Sequence, residues 1–157
     1  METREINGEV LEVLRIDMSE PQDFRHDGRM CIIVTGNPDR GFFHAPNSHL
    51  VIENDFSLSS LTAASIEAKG HLYPFFGINV AGDVIMPGFE LTTEASSPSS
   101  IGGNLVAGSL DSSRGIDIGG NVTCRDYISV MRWTVGGSVE CPNIHGPDPD
   151  APDGPMM

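Results

Sequence analysis

The sequence predicts an all-β chain, a single parallel β-solenoid (β-helix) of about seven coils of ~17 residues each. Three observations carry that prediction. A nine-residue string recurs at a nearly constant interval, glycine or asparagine stands at one phase of it, and 18 glycines and 11 prolines among 157 residues punctuate the backbone too densely for long helices.

Taken in chain order, residues 1–31 form an N-terminal capping segment. Within it Glu5 to Met18 (EINGEVLEVLRIDM) is expected to lie over the first rung, either as a hairpin turning at Asn7-Gly8 or as a short helix. Residues 32–141 form the solenoid. Three gapless copies of the string, Ser99 to Ala107, Ile116 to Cys124 and Trp133 to Cys141, start 17 residues apart. A looser copy begins at Ile78, and the same template fits segments beginning at Ile32, Leu50 and Ile66, giving steps of 18, 16, 12, 21, 17 and 17 across seven copies. The 21-residue step contains Ser96, Ser97, Pro98, Ser99 and Ser100, which read as a surface loop. Residues 142–157 (PNIHGPDPDAPDGPMM) have almost nothing to bury and are expected to be a disordered, acidic, Pro-rich tail.

The chemistry of the template says more than its spacing. Its third position (Val34, Ile52, Ala68, Val80, Ile101, Ile118, Val135) and its seventh (Pro38, Phe56, Leu72, Val84, Leu105, Val122, Val139) favour burial. Between them the fifth position reads Gly36, Asn54, Gly70, Gly82, Gly103, Gly120 and Gly137, the residue types that most readily adopt positive φ, so a recurrent bend is expected there. The sixth position (Asn37, Asp55, His71, Asp83, Asn104, Asn121, Ser138) is a polar set that bonds nearby backbone in turns. Short strands meeting at bends, with no helix caps, stack as rungs ~4.8 Å apart. Stacking then places Asn104, Asn121 and Ser138 in a polar ladder and Cys124 beneath Cys141.

The units Ile78 to Val84, Ile101 to Leu105, Ile116 to Val122 and Trp133 to Val139, which follow I-x-[IV]-x-G-[DNS]-[VL], resemble those of the bactofilins, polymer-forming cytoskeletal proteins of bacteria. The likeness covers roughly residues 32 to 141. It implies a compact β-helix without catalysis or bound nucleotide, flanked by Pro-rich ends and polymerising end to end. The structured N-terminal 30 residues, the step of 12 and the Ser-rich insertion depart from the family pattern.

The charges and reactive residues narrow the function. With 9 Lys+Arg against 22 Asp+Glu the formal charge is −13, which repels nucleic acid and anionic membrane and directs any polyionic partner to be basic. No run reaches the ~20 apolar residues of a membrane span, and METREINGEVLEVL lacks the apolar core of a secretory signal, so a cytoplasmic protein is expected. The cysteines, Cys31, Cys124 and Cys141, form no CxxC and read as small apolar fillers in a reducing compartment. The five histidines lack HxH or i, i+4 spacing, and the Gly-Gly-Asn strings lack the Lys-Ser/Thr of a phosphate loop, so no metal and no cofactor is expected. No sequence signature pairs a nucleophile with a base, so a non-enzymatic scaffold that self-associates is the leading expectation. Its contact surfaces would be an outward stripe of Tyr73, Ile85, Val106 and Thr123 and the terminal rung from Trp133 to Cys141. The alternative is an acidic inhibitor of the phage anti-defence type, whose carboxylates Asp83, Asp117, Asp126 and Glu140 imitate phosphates on a basic groove.

Overall fold

A computed structural model describes residues 2–20, 22–94, 99–112 and 115–145. The described residues contain no helix, and hence none long and apolar enough to cross a membrane. The strands are β1 (Thr3–Ile6), β2 (Glu9–Asp17), β3 (Gln22–Arg25), β4 (Cys31–Thr35), β5 (Gly41–Ile52), β6 (Phe56–Ala68), β7 (Leu72–Val80), β8 (Val84–Thr93), β9 (Ser99–Ile101), β10 (Leu105–Ser112), β11 (Ile116–Ile118), β12 (Val122–Val130), β13 (Trp133–Val135), β14 (Val139–Glu140) and β15 (Ile144–His145). Among the described residues every pairing is parallel except that of β1 with β2. The chain is a β-solenoid of about seven turns.

Each coil contributes to three faces. On the first, an inward column runs Leu14, Ile32, Leu50, Ile66, Val84, Leu105, Val122 and Val139 at steps of 18, 18, 16, 18, 21, 17 and 17 residues. On the second it runs Phe56, Leu72, Leu91, Leu110, Ile128 and Ile144. On the third, Phe24, Phe43, Leu61 and Ile78 stack, and after them Ile116 and Trp133. Stacking like residues makes one continuous core, in which Leu50, Leu72, Leu105 and Leu110 are fully buried. The hydrophobic effect accounts for the columns: a two-sided sheet can bury only alternate residues, so each rung puts its apolar set over that of the rung below.

The seven template copies do not occupy seven equivalent rungs. Those beginning at Ile32, Leu50 and Ile66 lie on the first face, and those beginning at Ile78, Ser99, Ile116 and Trp133 lie on the third. Ile66, Leu72 and Ile78 are successive inward residues of a single turn, one per face, which is why the step of 12 is too short for a coil. Two corners therefore carry the template's fifth position. Gly36, Asn54 and Gly70 share one, where the Gly36 amide donates to Asn54 Oδ1 (3.0 Å) and Asn54 Nδ2 donates to the Gly36 carbonyl (2.8 Å). Gly82, Gly103, Gly120 and Gly137 form the other column, linked by amide-to-carbonyl bonds of 2.9, 2.9 and 2.8 Å.

The expectation of positive φ at the fifth position holds at Gly36 (φ 87°) and fails at Asn54 and at the glycines Gly70, Gly82, Gly103, Gly120 and Gly137. Close approach between coils excludes a side chain at these glycines instead. A Cβ on Gly120 would overlap Asn104 Oδ1 and sit 2.7 Å from the Gly103 carbonyl oxygen, and one on Gly70 would sit 2.5 Å from the Asn54 carbonyl carbon. Beside the second glycine column runs the polar ladder, begun by Asp83. Its Oδ1 accepts the Asn104 amide (2.8 Å), Asn104 Oδ1 accepts that of Asn121 (2.8 Å), and Asn121 Oδ1 accepts that of Ser138 (2.9 Å). Each side chain thus supplies the acceptor that an exposed corner amide of the next coil would otherwise take from water.

Parallel pairing begins upstream of the expected boundary at residue 32: Val13–Asp17 pairs with β4, and β3 pairs with β5. Glu5 to Met18 does take part in a hairpin, which pairs Thr3–Ile6 with residues 9–12, with Asn7 (φ 53°) and Gly8 (φ 86°) both in the left-handed conformation that a two-residue turn requires. The hairpin does not sit over the first rung. Its Ile6, Leu11 and Val13 pack on Cys31, Ile33 and Val51, outward-facing apolar residues of the first face that need cover. Two bidentate pairs, Arg15 with Glu2 and Arg29 with Glu9, pin it at the surface, where each adds little stability. Ser96 to Pro98 of the expected Ser-rich loop and residues 146–157 of the expected tail lie outside the described residues, whereas Ser99 and Ser100, expected in that loop, open β9 and pair with β11, and Ile144 and His145, expected in the tail, pair with β12.

Candidate functional site

The strap-like hairpin leaves a groove of about 900 Å³ between its tip and the outside of the first face, lined by Glu5, Ile6 and Asn7 on one side and by His49, Ser65, Glu67, Asp83, Ile85 and Phe89 among others on the opposite one. The register of the coils builds the site. His49 and Ser65 are paired residues of adjacent rungs, and Glu67 points the same way as Ser65 two positions on. His49 Nδ1 lies 2.6 Å from Ser65 Oγ, while His49 Nε2 is buried, has no hydrogen-bond partner among the described residues, and stands 4.0 Å from Glu67 Oε1. Burial lowers the His49 pKa against the opposing pull of Glu67, with Arg4 and Arg29 lowering it further, so the ring is neutral at pH 7. The cations that border the groove are already engaged, Arg29 by Glu9 (2.6 Å) and Lys69 by Glu53 (3.2 Å).

The lowered His49 pKa has a consequence for stability. Between the depressed folded value and the ordinary value of about 6.5 the unfolded chain binds a proton that the folded chain refuses. Stability from this group is therefore full above about pH 6.5 and is lost as pH falls through that window. Urea midpoints measured from pH 7 down to pH 5 are expected to fall less steeply in His49→Gln than in the parent protein, and identical slopes would contradict the assignment.

The expected outward stripe is divided by the structure. Ile85, Val106 and Thr123 do stack in one outward column, flanked by Glu67 before and Glu140 after. Tyr73 belongs elsewhere: it pairs with Ser57 on the second face, because its template copy straddles a different corner from that of Ile85. There it joins Phe75 (ring centroids 5.4 Å) and, through Phe75, Phe76 (5.5 Å), an aromatic cluster that the template concealed. Trp133 is buried against the last inward column rather than displayed on a flank. Of the four carboxylates expected to imitate phosphates, three have partners within the chain: Asp83 accepts the Asn104 amide, Asp117 Oδ1 accepts from Thr134 Oγ1 (2.7 Å), and Asp126 pairs with Arg125 (3.1 Å). Glu140 is exposed beside Thr123.

Cys31 and Cys124 are buried, and burial raises both thiols, that of Cys124 to about 12. Cys141 is half-buried at the end of the solenoid, where its Sγ lies 3.2 Å from the Asn143 carbonyl oxygen. A maleimide at pH 7.5 is expected to label Cys141 in the folded protein and to reach Cys31 and Cys124 only after denaturation. Peptide mapping that finds Cys124 labelled first would show that the last coil is open. Among the described residues no group of three or more His, Cys, Asp or Glu side chains could hold a metal ion.

Position explains why sequence reasoning missed the groove. His49 and Ser65 immediately precede the copies starting at Leu50 and Ile66, so they share a phase of the repeat, and that shared phase was the available signal. Comparison of the chain with protein-family models, with curated proteins and with solved structures gives no match.

Proposed function

We propose that the protein is a non-enzymatic β-helical scaffold that self-associates through its terminal coils. The observation that carries this reading is the last turn, whose strands β13, β14 and β15 are each paired on one side only among the described residues. Such a rung offers a row of amides and carbonyls to another chain. It also presents apolar side chains at the end of the core, with Ile144 43% exposed and Val139 and Cys141 half-buried. The resemblance of the rungs to those of bactofilins supports the same reading. The acidic-inhibitor alternative rests on the charge of −13, and the internal partners of Asp83, Asp117 and Asp126 weaken its proposed use of those residues.

Analytical ultracentrifugation and negative-stain microscopy over a range of concentration and salt provide the test. Oligomers or filaments are expected, growing with salt as self-repulsion is screened. Ile144→Asp and Val139→Lys, both at the terminal coil, are expected to reduce assembly without changing the circular dichroism spectrum. A strictly monodisperse monomer under all conditions would refute the scaffold reading, and salt-sensitive capture of a basic protein by that monomer would favour the alternative.

A further inference from the structure

We propose that the groove beneath the N-terminal hairpin binds a small ligand that presents a protonated amine to His49 and Glu67 and lays an apolar body against Ile85, Pro87 and Phe89. This inference is independent of self-association. The groove, at about 900 Å³, falls within the size of small-molecule clefts. His49 is only 7% exposed, and its Nε2, buried without a partner among the described residues, carries a desolvation penalty that a hydrogen-bonding ligand removes. Ser65 holds the other ring nitrogen and so orients the imidazole. The bound amine selects the tautomer in which Nδ1–H donates to Ser65 Oγ and Nε2 accepts.

Distance and charge choose the ligand class. With Nε2 and Glu67 Oε1 4.0 Å apart, one donor nitrogen can stand about 2.9 Å from both, an ordinary hydrogen-bond length. A tetrahedral zinc ion with bonds of about 2.0–2.2 Å would need the two atoms closer together and further protein ligands as well, and the described residues contain no group of three or more ligating side chains. Glu5, Glu67 and Asp83 line the groove, Arg29 and Lys69 are paired with Glu9 and Glu53, and although Arg4 and Arg29 oppose a positive charge on His49, the carboxylates outnumber these cations, so the field favours a cation and repels a carboxylate. The Glu67 side chain is 44% exposed and free to rotate onto the arriving ammonium. Ile85 and Pro87 are exposed and Phe89 half-buried, an apolar wall against which an alkyl or aryl group loses its contact with water.

Calorimetry and 15N-histidine NMR with phenethylamine, hexylamine and tryptamine, each set against its alcohol or carboxylate counterpart, test the proposal. Saturable one-to-one binding of at least one amine is expected, with the matched alcohol at least tenfold weaker and the carboxylate without effect. The His49 Nε2 resonance is expected to shift as an acceptor. Glu67→Gln and His49→Gln are each expected to weaken the amine at least tenfold, and Glu67→Gln, at a partly exposed site, retains the fold if His49→Gln does not. Equal binding of amine and alcohol, undiminished affinity in Glu67→Gln, saturable binding of zinc but of no amine, or no saturable binding of any of the three amines would overturn it.

Discussion

Gly120→Ala is expected to destabilise the protein by about 3 kcal/mol, the upper part of the range for forcing one extra carbon into a packed site. The added Cβ would overlap Asn104 Oδ1 and lie 2.7 Å from the Gly103 carbonyl oxygen and 2.8 Å from the Gly103 carbonyl carbon. Backbone cannot yield here without breaking the Gly120-to-Gly103 hydrogen bond of 2.9 Å, and Asn104 Oδ1 cannot yield without releasing the Asn121 amide. The cost therefore falls on the ladder and the stacked corner together. Gly115→Ala is the control, because among the described residues its Cβ would meet nothing closer than 3.6 Å, and it is expected to change stability by less than about 1 kcal/mol. Thermal melts of the two variants should separate clearly. Similar melting points would mean that the coils are not in contact at the glycine column.

Phe43→Ala is expected to cost about 4 kcal/mol, the usual loss for a large buried aromatic. Phe43 is 1% exposed in the first turns, stacked on Phe24 with ring centroids 4.8 Å apart and edge-on to Phe56 at 6.4 Å. Its removal leaves a cavity that the neighbours cannot close, since each is held in the rung ladder by its own backbone bonds. In a stack where each coil contacts chiefly its neighbours, the damage should be local. Hydrogen exchange is expected to accelerate first in β3 and β5 and least in β11 and β12. Uniform acceleration from end to end would show that the solenoid unfolds as one cooperative unit, and a loss below about 1 kcal/mol would show that Phe43 is not a core residue.

The repeat was legible because stacking demands it. Gly103, Gly120 and Gly137 recur every 17 residues, and Asn104, Asn121 and Ser138 follow them, since each coil must clear the one below and satisfy its corner amides. The assignment of copies to faces was not legible. An alternation of apolar residues closed by Gly-Asn or Gly-Asp describes either corner equally well, so Ile66 and Ile78 looked like equivalent starts although they lie two faces apart in one turn. Tyr73 was misplaced by the same ambiguity, and Trp133 was judged by its terminal position when its burial depends on the turn beneath it.

The amino-acid order alone determined the solenoid, its approximate coil length and the ladder, because these depend on residues one period apart and on local backbone needs. Tertiary structure decided what a period cannot encode. It laid the hairpin along the flank, where Ile6 and Leu11 cover Cys31, Ile33 and Val51, and so set Glu5, Ile6 and Asn7 across a groove from His49, Ser65 and Glu67, which the repeat itself stacks on the wall. Those contacts cross from an antiparallel strap to a parallel wall, and their energies come from shape and desolvation at a junction that occurs once in the chain.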